Sequence, residues 1–113
     1  MTIIYKICVV ALWREAEPAG AFIGTPLDRA DGFIHFSTAD QLAETAARHF
    51  AGIADLVLIA ADAARLGALL RWERSRGGAL FPHLYGPLAR DAVIWVKPLP
   101  LSPEGRHVLP PLE

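Results

Sequence analysis

An uninterrupted apolar run, Leu56–Ala60, has the length of a strand rather than that of a helix. Because no polar residue breaks it, both of its faces must be covered, and we expect a central strand of a sheet. A second segment, Ile3–Cys8, is rich in β-branched and aromatic residues and predicts another strand that is buried on both faces. The chain must therefore fold around a sheet, with other elements covering it.

The segment Thr38–Phe50 carries the strongest helix signal. Thr38 followed by Gln41 fits a capping box, in which each side chain satisfies a free backbone N–H of the other residue. Apolar residues fall on one stripe of this segment and charged residues on another, and Gly52 suits the position after its end. We therefore expect the main helix of the domain here.

Shorter elements complete the expected order. Short helices are predicted at Val10–Ala16 and from Asp62 to Leu66, short strands at Gly32–Ser37, Ala68–Glu73 and Ala92–Lys97, and a loop at Ala19–Asp31. Pro98 is expected to stop the last strand. Since this order does not repeat as β-α-β units, we expect an α+β fold: one domain over residues 1–98 and a Pro-rich irregular tail over residues 99–113, either draped over the domain or frayed.

Composition narrows the class of protein. In 113 residues, 53% are apolar, which suffices for one core, and the net charge of -1 argues against broad binding to nucleic acid or to a membrane surface. The single cysteine, Cys8, cannot form an internal disulfide, so we expect a reducing compartment. No run approaches the roughly 18 apolar residues of a membrane span and no signal-peptide pattern is present, so we expect a cytoplasmic protein.

The first segment with chemical potential is Gly32–Thr38. His35 emerges from a predicted strand that leads directly into a helix N-terminus, where free N–H groups and the hydroxyls of Ser37 and Thr38 could hold a phosphate or carboxylate. His35 could then donate a hydrogen bond or carry a proton. The alternative is structural: Thr38 is a helix cap and His35 a satisfied strand residue.

The second segment is Phe81–Leu88. In an extended strand, Phe81, His83 and Tyr85 share one face, so an imidazole and a phenol lie side by side. Aromatic faces suit stacking against a flat ring, and both polar tips can donate hydrogen bonds. The alternative is a strand with ordinary aromatic packing.

The third segment is Arg71–Gly78. Its three arginines precede a Gly-Gly turn and could grip phosphate bidentately, although a charged hairpin in water has the same pattern. Glu73 is the one carboxylate that we nominate as a general base. The four histidines lack the spacing of a zinc site, so we expect no metal.

Taken together, these motifs resemble the bacterial family catalogued as domain of unknown function 952. The resemblance rests on Ile4–Ile7, Gly32–Thr38, Arg71–Glu73 and Phe81–Leu88, which occur here in the family's order between about Ile3 and Pro98. The string Phe-Pro-His-Leu-Tyr-Gly-Pro is the most specific of them.

That family is in turn similar to the ADP-ribosyltransferase superfamily, in particular to its RNA 2′-phosphotransferase branch. The similarity implies an ADP-ribosyltransferase-like fold, a small split β-sheet with one main helix and short helices, and NAD bound in its cleft. It implies that His35 contacts the ribose or phosphates of the dinucleotide, that His83 and Tyr85 border the cleft, and that Arg71 is a loose counterpart of a phosphate-binding arginine. The chain departs from the superfamily in having neither a clear His-Gly-Thr motif nor a counterpart to its catalytic glutamate.

The sequence therefore leaves three functions open. The first is an NAD-using enzyme that transfers ADP-ribose or removes a phosphate from an acceptor such as a phosphorylated nucleic acid. In it His35 and His83 are catalytic, and Ser37, Thr38, Tyr85 and Arg71 bind the cofactor. The second is a non-catalytic nucleotide-binding or regulatory module on the same fold. The third is a small homodimeric interaction domain, motivated by the high apolar content.

Overall fold

The computed structural model describes residues 1–112, apart from the side chain of Arg76. The strands in these residues are β1 (Ile3–Val9), β2 (Ala21–Phe22), β3 (Ile34–His35), β4 (Leu56–Asp62), β5 (Leu70–Arg74), β6 (Leu80–Leu84), β7 (Leu88–Ala89) and β8 (Val93–Leu99). The α-helices are α1 (Val10–Ala16), α2 (Pro26–Asp31), α3 (Leu42–His49) and α4 (Ala63–Leu66), and 3₁₀ turns occur at Ala39–Gln41, Gly67–Leu69, Arg76–Gly78 and Arg90–Ala92. Over this part of the chain, no helix is long and apolar enough to cross a bilayer.

The strands form small antiparallel sheets. The central sheet has the order β1-β4-β8, the site sheet has the order β3-β6-β5, and β2 pairs with β7. Tyr5 in β1 and Ser37, just after β3, exchange two backbone hydrogen bonds of 2.8 Å, which join the central sheet to the site sheet. The expected α+β class is confirmed.

Two apolar layers cover the central sheet, because its strands alternate their side chains between the two faces. The layer towards the site sheet contains Ile4, Cys8, Ile34, Phe36, Val57, Ile59, Ala61 and Leu84. The layer towards α3 contains Tyr5, Ile7, Leu42, Ala46, Leu56, Leu58, Ala60 and Leu99. Residues Leu56 to Ala61 of β4 are all buried, so the prediction of a central strand is confirmed.

The main helix begins with a different geometry from the one expected. A 3₁₀ turn at Ala39–Gln41 precedes α3, and the side-chain oxygen of Gln41 accepts the backbone N–H of Thr38 at 3.0 Å. The reciprocal capping pattern thus lies at the start of the turn rather than of a regular α-helix. The apolar stripe of α3 faces the core through Leu42 and Ala46, as the sequence predicts.

The prediction of a loop at Ala19–Asp31 is wrong, because this stretch contains β2 and α2. Pro26 is the first residue of α2, where its missing N–H is not needed. Thr25 and Asp28 form a capping box, and Gly32 ends the helix with a φ of 89°. The proline and glycine that suggested a loop instead mark the two ends of a six-residue helix.

The expectation that Pro98 stops the last strand is also wrong, since β8 continues to Leu99. Within residues 1–112, β8 pairs with β4 alone and lies at the edge of the central sheet. A proline is tolerated on an edge strand because its missing N–H can face away from the neighbouring strand. The tail beyond it is draped over the domain. Leu109 and Leu112 pack on the layer that faces α3, and Nε2 of His107 lies 2.9 Å from the carbonyl oxygen of Ile53.

Candidate functional site

The two histidines meet on one face of the site sheet. His35 in β3 lies directly opposite His83 in β6, and His83 lies opposite Arg71 in β5, so the three residues form a row across the strands. Tyr85 follows His83 by two positions, and Glu73 follows Arg71 by two positions. Because alternate residues of a strand share a face, both extend the row into a patch. The sequence left open whether His35 and His83 face one cleft, and the strand register places them opposite each other on neighbouring strands.

Aromatic contacts hold this patch together. The ring centroids of His35 and His83 are 5.7 Å apart in an edge-on arrangement. Phe33 stacks on His83 with a centroid distance of 4.1 Å, and its ring is 4.5 Å from that of His35 and 5.2 Å from that of Tyr85. We call Phe33, His35, Glu73, His83 and Tyr85 the histidine cluster.

Glu73 orients the β6 half of the cluster. Its Oε1 lies 2.8 Å from Nδ1 of His83 and accepts a 2.7 Å hydrogen bond from the hydroxyl of Tyr85. The Tyr85 hydroxyl and the His83 ring lower the pKa of Glu73, and the Glu73 carboxylate raises the pKa of Tyr85. In the neutral tautomer whose Nδ1–H donates to Glu73, the lone pair of the His83 ring is on Nε2. This nitrogen is then the one that can accept a proton.

Arg71 lies at the edge of the cluster. Its guanidinium carbon is 4.9 Å from the centroid of the Tyr85 ring, a cation–π arrangement, and the side chain is exposed. Arg74, the other arginine considered for phosphate, instead donates to the carbonyl oxygen of Gly78 in the adjacent turn. The structure therefore brings Arg71 to the site.

A buried carboxylate, Asp28, orients the β3 half of the cluster. Its Oδ1 lies 2.6 Å from Nδ1 of His35 and also accepts the backbone N–H of His35 at 3.2 Å. Its Oδ2 accepts the backbone N–H of Thr25 at 2.9 Å, and Nζ of Lys6 lies 2.8 Å from the same oxygen. Asp28 is 2% exposed and Lys6 6%, so this ion pair is inside the protein.

The neighbouring charges and hydrogen bonds keep Asp28 ionised. Burial by itself raises the pKa of Asp28, but the hydrogen bond with His35 and the ammonium group of Lys6 outweigh that effect and the pKa lies below its ordinary value. Burial lowers the pKa of Lys6, an effect that the carboxylate of Asp28 opposes. An ionised carboxylate thus faces Nδ1 of His35, which must carry a proton to donate to it.

The other edge of the His35 ring faces a second carboxylate. Nε2 lies 3.0 Å from Oδ2 of Asp31, the last residue of α2. The His35 side chain is 34% exposed and that of Asp31 is 45% exposed, so this pair lies at the surface. An imidazolium ring has an N–H for each of the two carboxylates, whereas a neutral ring has only one.

Two predicted site residues lie elsewhere. The hydroxyl of Ser37 is 3.1 Å from that of Thr45 in α3, and Ser37 is 4% exposed. Thr38 is half-buried at the start of the following turn. The structure brings neither side chain into the histidine cluster, and their binding of phosphate stays a prediction.

A groove of about 380 Å³ adjoins the cluster. Its lining includes Ile23, Arg29, Gly32, Phe33, Tyr85 and Gly86. The volume falls within the range of about 300–1,000 Å³ that is typical of small-molecule sites. The rings of Phe33 and Tyr85 and the guanidinium of Arg29 are groups that suit a flat ring carrying negative charge.

Sequence reasoning missed Lys6, Asp28 and Asp31 and gave Phe33 no role. Asp28 had a readable signal, since Thr25-Pro26-Leu27-Asp28 matches a capping box with proline at the first helical position. Lys6 had none, because its partner lies 22 residues away. Across residues 1–112, no three His, Cys, Asp or Glu side chains are arranged to hold a metal ion.

The chain is similar to a family of unknown function and to solved structures of a protein from Caulobacter crescentus. The family model described as "Protein of unknown function (DUF952)" matches residues 7–96. The crystal structure of protein CC0527 from Caulobacter crescentus is 50% identical, covers 95% of this chain and 94% of its own, and superimposes with a TM-score of 0.91. The solution NMR structure of CC0527 has 51% identity, coverage of 94% and 91%, and a TM-score of 0.83. No curated protein gives a significant match.

Proposed function

This chain belongs to the DUF952 family, and we propose that its histidine cluster binds a dinucleotide such as NAD and transfers an ADP-ribosyl or phosphoryl group. One observation carries the proposal. His35 and His83 lie opposite each other on neighbouring strands, and each Nδ1 is held by a carboxylate, Asp28 or Glu73. Two oriented imidazoles beside a groove are suited to moving a proton at a bound substrate.

The charges of the cluster support ADP-ribosyl transfer in particular. In that reaction the bond between nicotinamide and the ribose C1′ breaks, and nicotinamide leaves with the bonding electron pair. The acceptor oxygen then bonds to C1′ and gives up its proton. Positive charge develops on the ribose, and Glu73, whose pKa is lowered by Tyr85 and His83, is an ionised carboxylate that can stabilise it. Nε2 of His83 can take the proton.

The binding groups also fit a dinucleotide. The rings of Phe33 and Tyr85 border the groove, where a base can stack on them. Arg71 is exposed beside Tyr85 and presents a guanidinium that can pair bidentately with a phosphate. These residues therefore supply stacking and charge pairing at one location.

A second candidate function is a nucleotide-binding module without catalysis. The observation in its favour is that His83 is only 5% exposed, because the ring of Phe33 covers it. Both nitrogens of His35 likewise face carboxylates. Such an arrangement can recognise a ligand without exchanging protons with it.

The first experiment is a thermal-shift titration of the wild type, His35→Ala and His83→Ala with NAD, ADP-ribose and a 2′-phosphorylated oligonucleotide. A ligand at 100 times its Kd adds about 2.7 kcal/mol of stability, which raises the Tm of a domain of this size by several degrees. His107→Ala is the matched control, because His107 lies in the tail. We expect both cluster variants to lose the shift and the control to keep it.

Chromatographic detection of nicotinamide separates the two candidates. Release of nicotinamide by the wild type and not by His83→Ala would establish transfer or hydrolysis. Binding without any release would favour the non-catalytic module. If no ligand shifts the wild type, or if the two cluster variants respond as the wild type does, the proposal is wrong.

A further inference from the structure

The ring of His35 has one edge fixed inside the protein and the other directed outwards. Nδ1 lies 2.6 Å from Asp28, which is 2% exposed and is itself paired with Lys6. The backbone N–H of His35 donates to the same Asp28 oxygen and holds this carboxylate beside the ring, and turning the ring would break the contact of Nδ1 with it. Nε2 is therefore presented on the surface side at a defined position.

An acidic side chain of the same protein occupies that position. Oδ2 of Asp31 lies 3.0 Å from Nε2, and Asp31 is 45% exposed. Asp31 is the last residue of α2, where the negative end of the helix dipole disfavours a nearby negative charge. Exposed ion pairs contribute little to stability, so the contact between Asp31 and His35 is easily exchanged for another.

Nε2 of His35 already faces a carboxylate, so an anion suits this position better than a neutral group. The residue after Asp31, Gly32, lines the groove. An oxyanion that replaced the Asp31 carboxylate would keep an acceptor on Nε2. Phe33 and Tyr85 border the same groove and can contact the rest of the ligand.

We propose that Asp31 is an internal stand-in for a ligand phosphate and that a phosphate-bearing ligand binds His35 Nε2 by displacing it. Asp31 thereby sets the affinity of the site, as a built-in competitor. The inference rests on the proposed function only in taking the ligand to be a nucleotide, since the contact that replaces Asp31 is with a phosphate oxygen, whatever molecule carries the phosphate.

The test measures the binding of inorganic pyrophosphate and of ADP-ribose by calorimetry at low salt. The proteins compared are the wild type, Asp31→Ala, Asp31→Asn and His35→Gln. Glu104→Ala is the matched control because it removes one negative charge from an exposed position in the tail. We expect Asp31→Ala to bind both ligands about three- to fivefold more tightly than the wild type, the gain that corresponds to losing one exposed ion pair. Asp31→Asn should show a smaller gain, Glu104→Ala none, and His35→Gln a loss.

The outcomes separate this inference from the proposed function. Tighter binding of pyrophosphate alone would support displacement by a free phosphate and count against a nucleotide ligand. Equal affinities in the wild type and both Asp31 variants, with a loss in His35→Gln, would overturn the role of Asp31 and leave the nucleotide site standing. An equal gain in affinity in Glu104→Ala would mean that the effect comes from net charge alone, and it would also overturn the role of Asp31. Absence of binding in every protein would overturn both.

Discussion

Nζ of Lys6 lies 2.9 Å from Oδ1 and 2.8 Å from Oδ2 of Asp28, and both side chains are buried. Lys6 belongs to the central sheet, whereas Asp28 belongs to α2 beside the site sheet. The ion pair thus connects the interior of the fold to the residue that orients His35. Removing one member of such a pair leaves an uncompensated buried charge.

The first prediction concerns Lys6→Met. We expect the variant to lose about 3–5 kcal/mol of unfolding free energy, because Asp28 stays buried and ionised without its partner. Urea denaturation followed by circular dichroism measures the loss. Lys97→Met is the matched control. Nζ of Lys97 lies 4.3 Å from the centroid of the Trp95 ring, and we expect the loss of this cation–π contact to cost about 1 kcal/mol or less. A similar small loss in both variants would show that the buried pair contributes nothing special.

The second prediction concerns acid. The folded-state pKa of Asp28 lies below its unfolded value of about 3.9, so its stabilising contribution is complete above that value and disappears as the pH falls towards the folded pKa. The unfolding free energy of the wild type should therefore fall as the pH is lowered below about 4. That of Asp28→Asn should fall less steeply. Chemical denaturation at a series of pH values measures both slopes, and equal slopes would contradict the prediction.

The third prediction concerns the phenol of Tyr85. Because its hydroxyl donates to Glu73, the pKa of Tyr85 lies above the ordinary value of about 10. In Glu73→Gln the negative acceptor is gone, and we expect the pKa of Tyr85 to fall back towards that value. NMR titration of the tyrosine Cζ resonance measures it. Glu44→Gln, on the exposed side of α3, should leave the Tyr85 titration unchanged.

The fourth prediction concerns Gly24. An alanine Cβ there would lie 2.8 Å from Cβ of Asp28, at a φ of 106°. Gly105, in the tail, has a φ of 84° and no atom within 4 Å of the corresponding position. Both alanines incur the backbone penalty of about 1–2 kcal/mol, but Gly24→Ala must also move Asp28. We expect Gly24→Ala to be the less stable by at least about 1 kcal/mol, and equal losses in urea denaturation would refute the clash.

Several parts of the fold were readable from local pattern. The bounds of α1, the central position of β4 and the α+β class follow from runs of apolar residues and from breakers at their ends. The shared face of His83 and Tyr85 follows from the period of a strand. These features depend on residues close together in the sequence.

The features that could not be predicted from the sequence depend on contacts between segments that are distant along the chain. No local pattern indicates that Lys6, a charged residue in a strand, is buried, because its partner Asp28 lies 22 residues away. The cross-strand pairing of His35 with His83 joins β3 to β6, and no local pattern specifies that register. The helix α2 was missed for a different reason. Proline and glycine occur both in loops and at helix ends, and here Pro26 and Gly32 lie at the two ends of a helix.

The backbone bridge between Tyr5 and Ser37 has a consequence for cooperativity. Ser37, two residues after His35, pairs with Tyr5 of the central sheet. The Lys6–Asp28 pair joins β1 to α2, and Asp28 in turn holds the His35 ring of the site sheet. Neither sheet can then separate from the other without releasing the orientation of the His35 ring. The ring nitrogen resonances of His35 should consequently change together with global unfolding, which makes this histidine an internal reporter of whether the two sheets are docked.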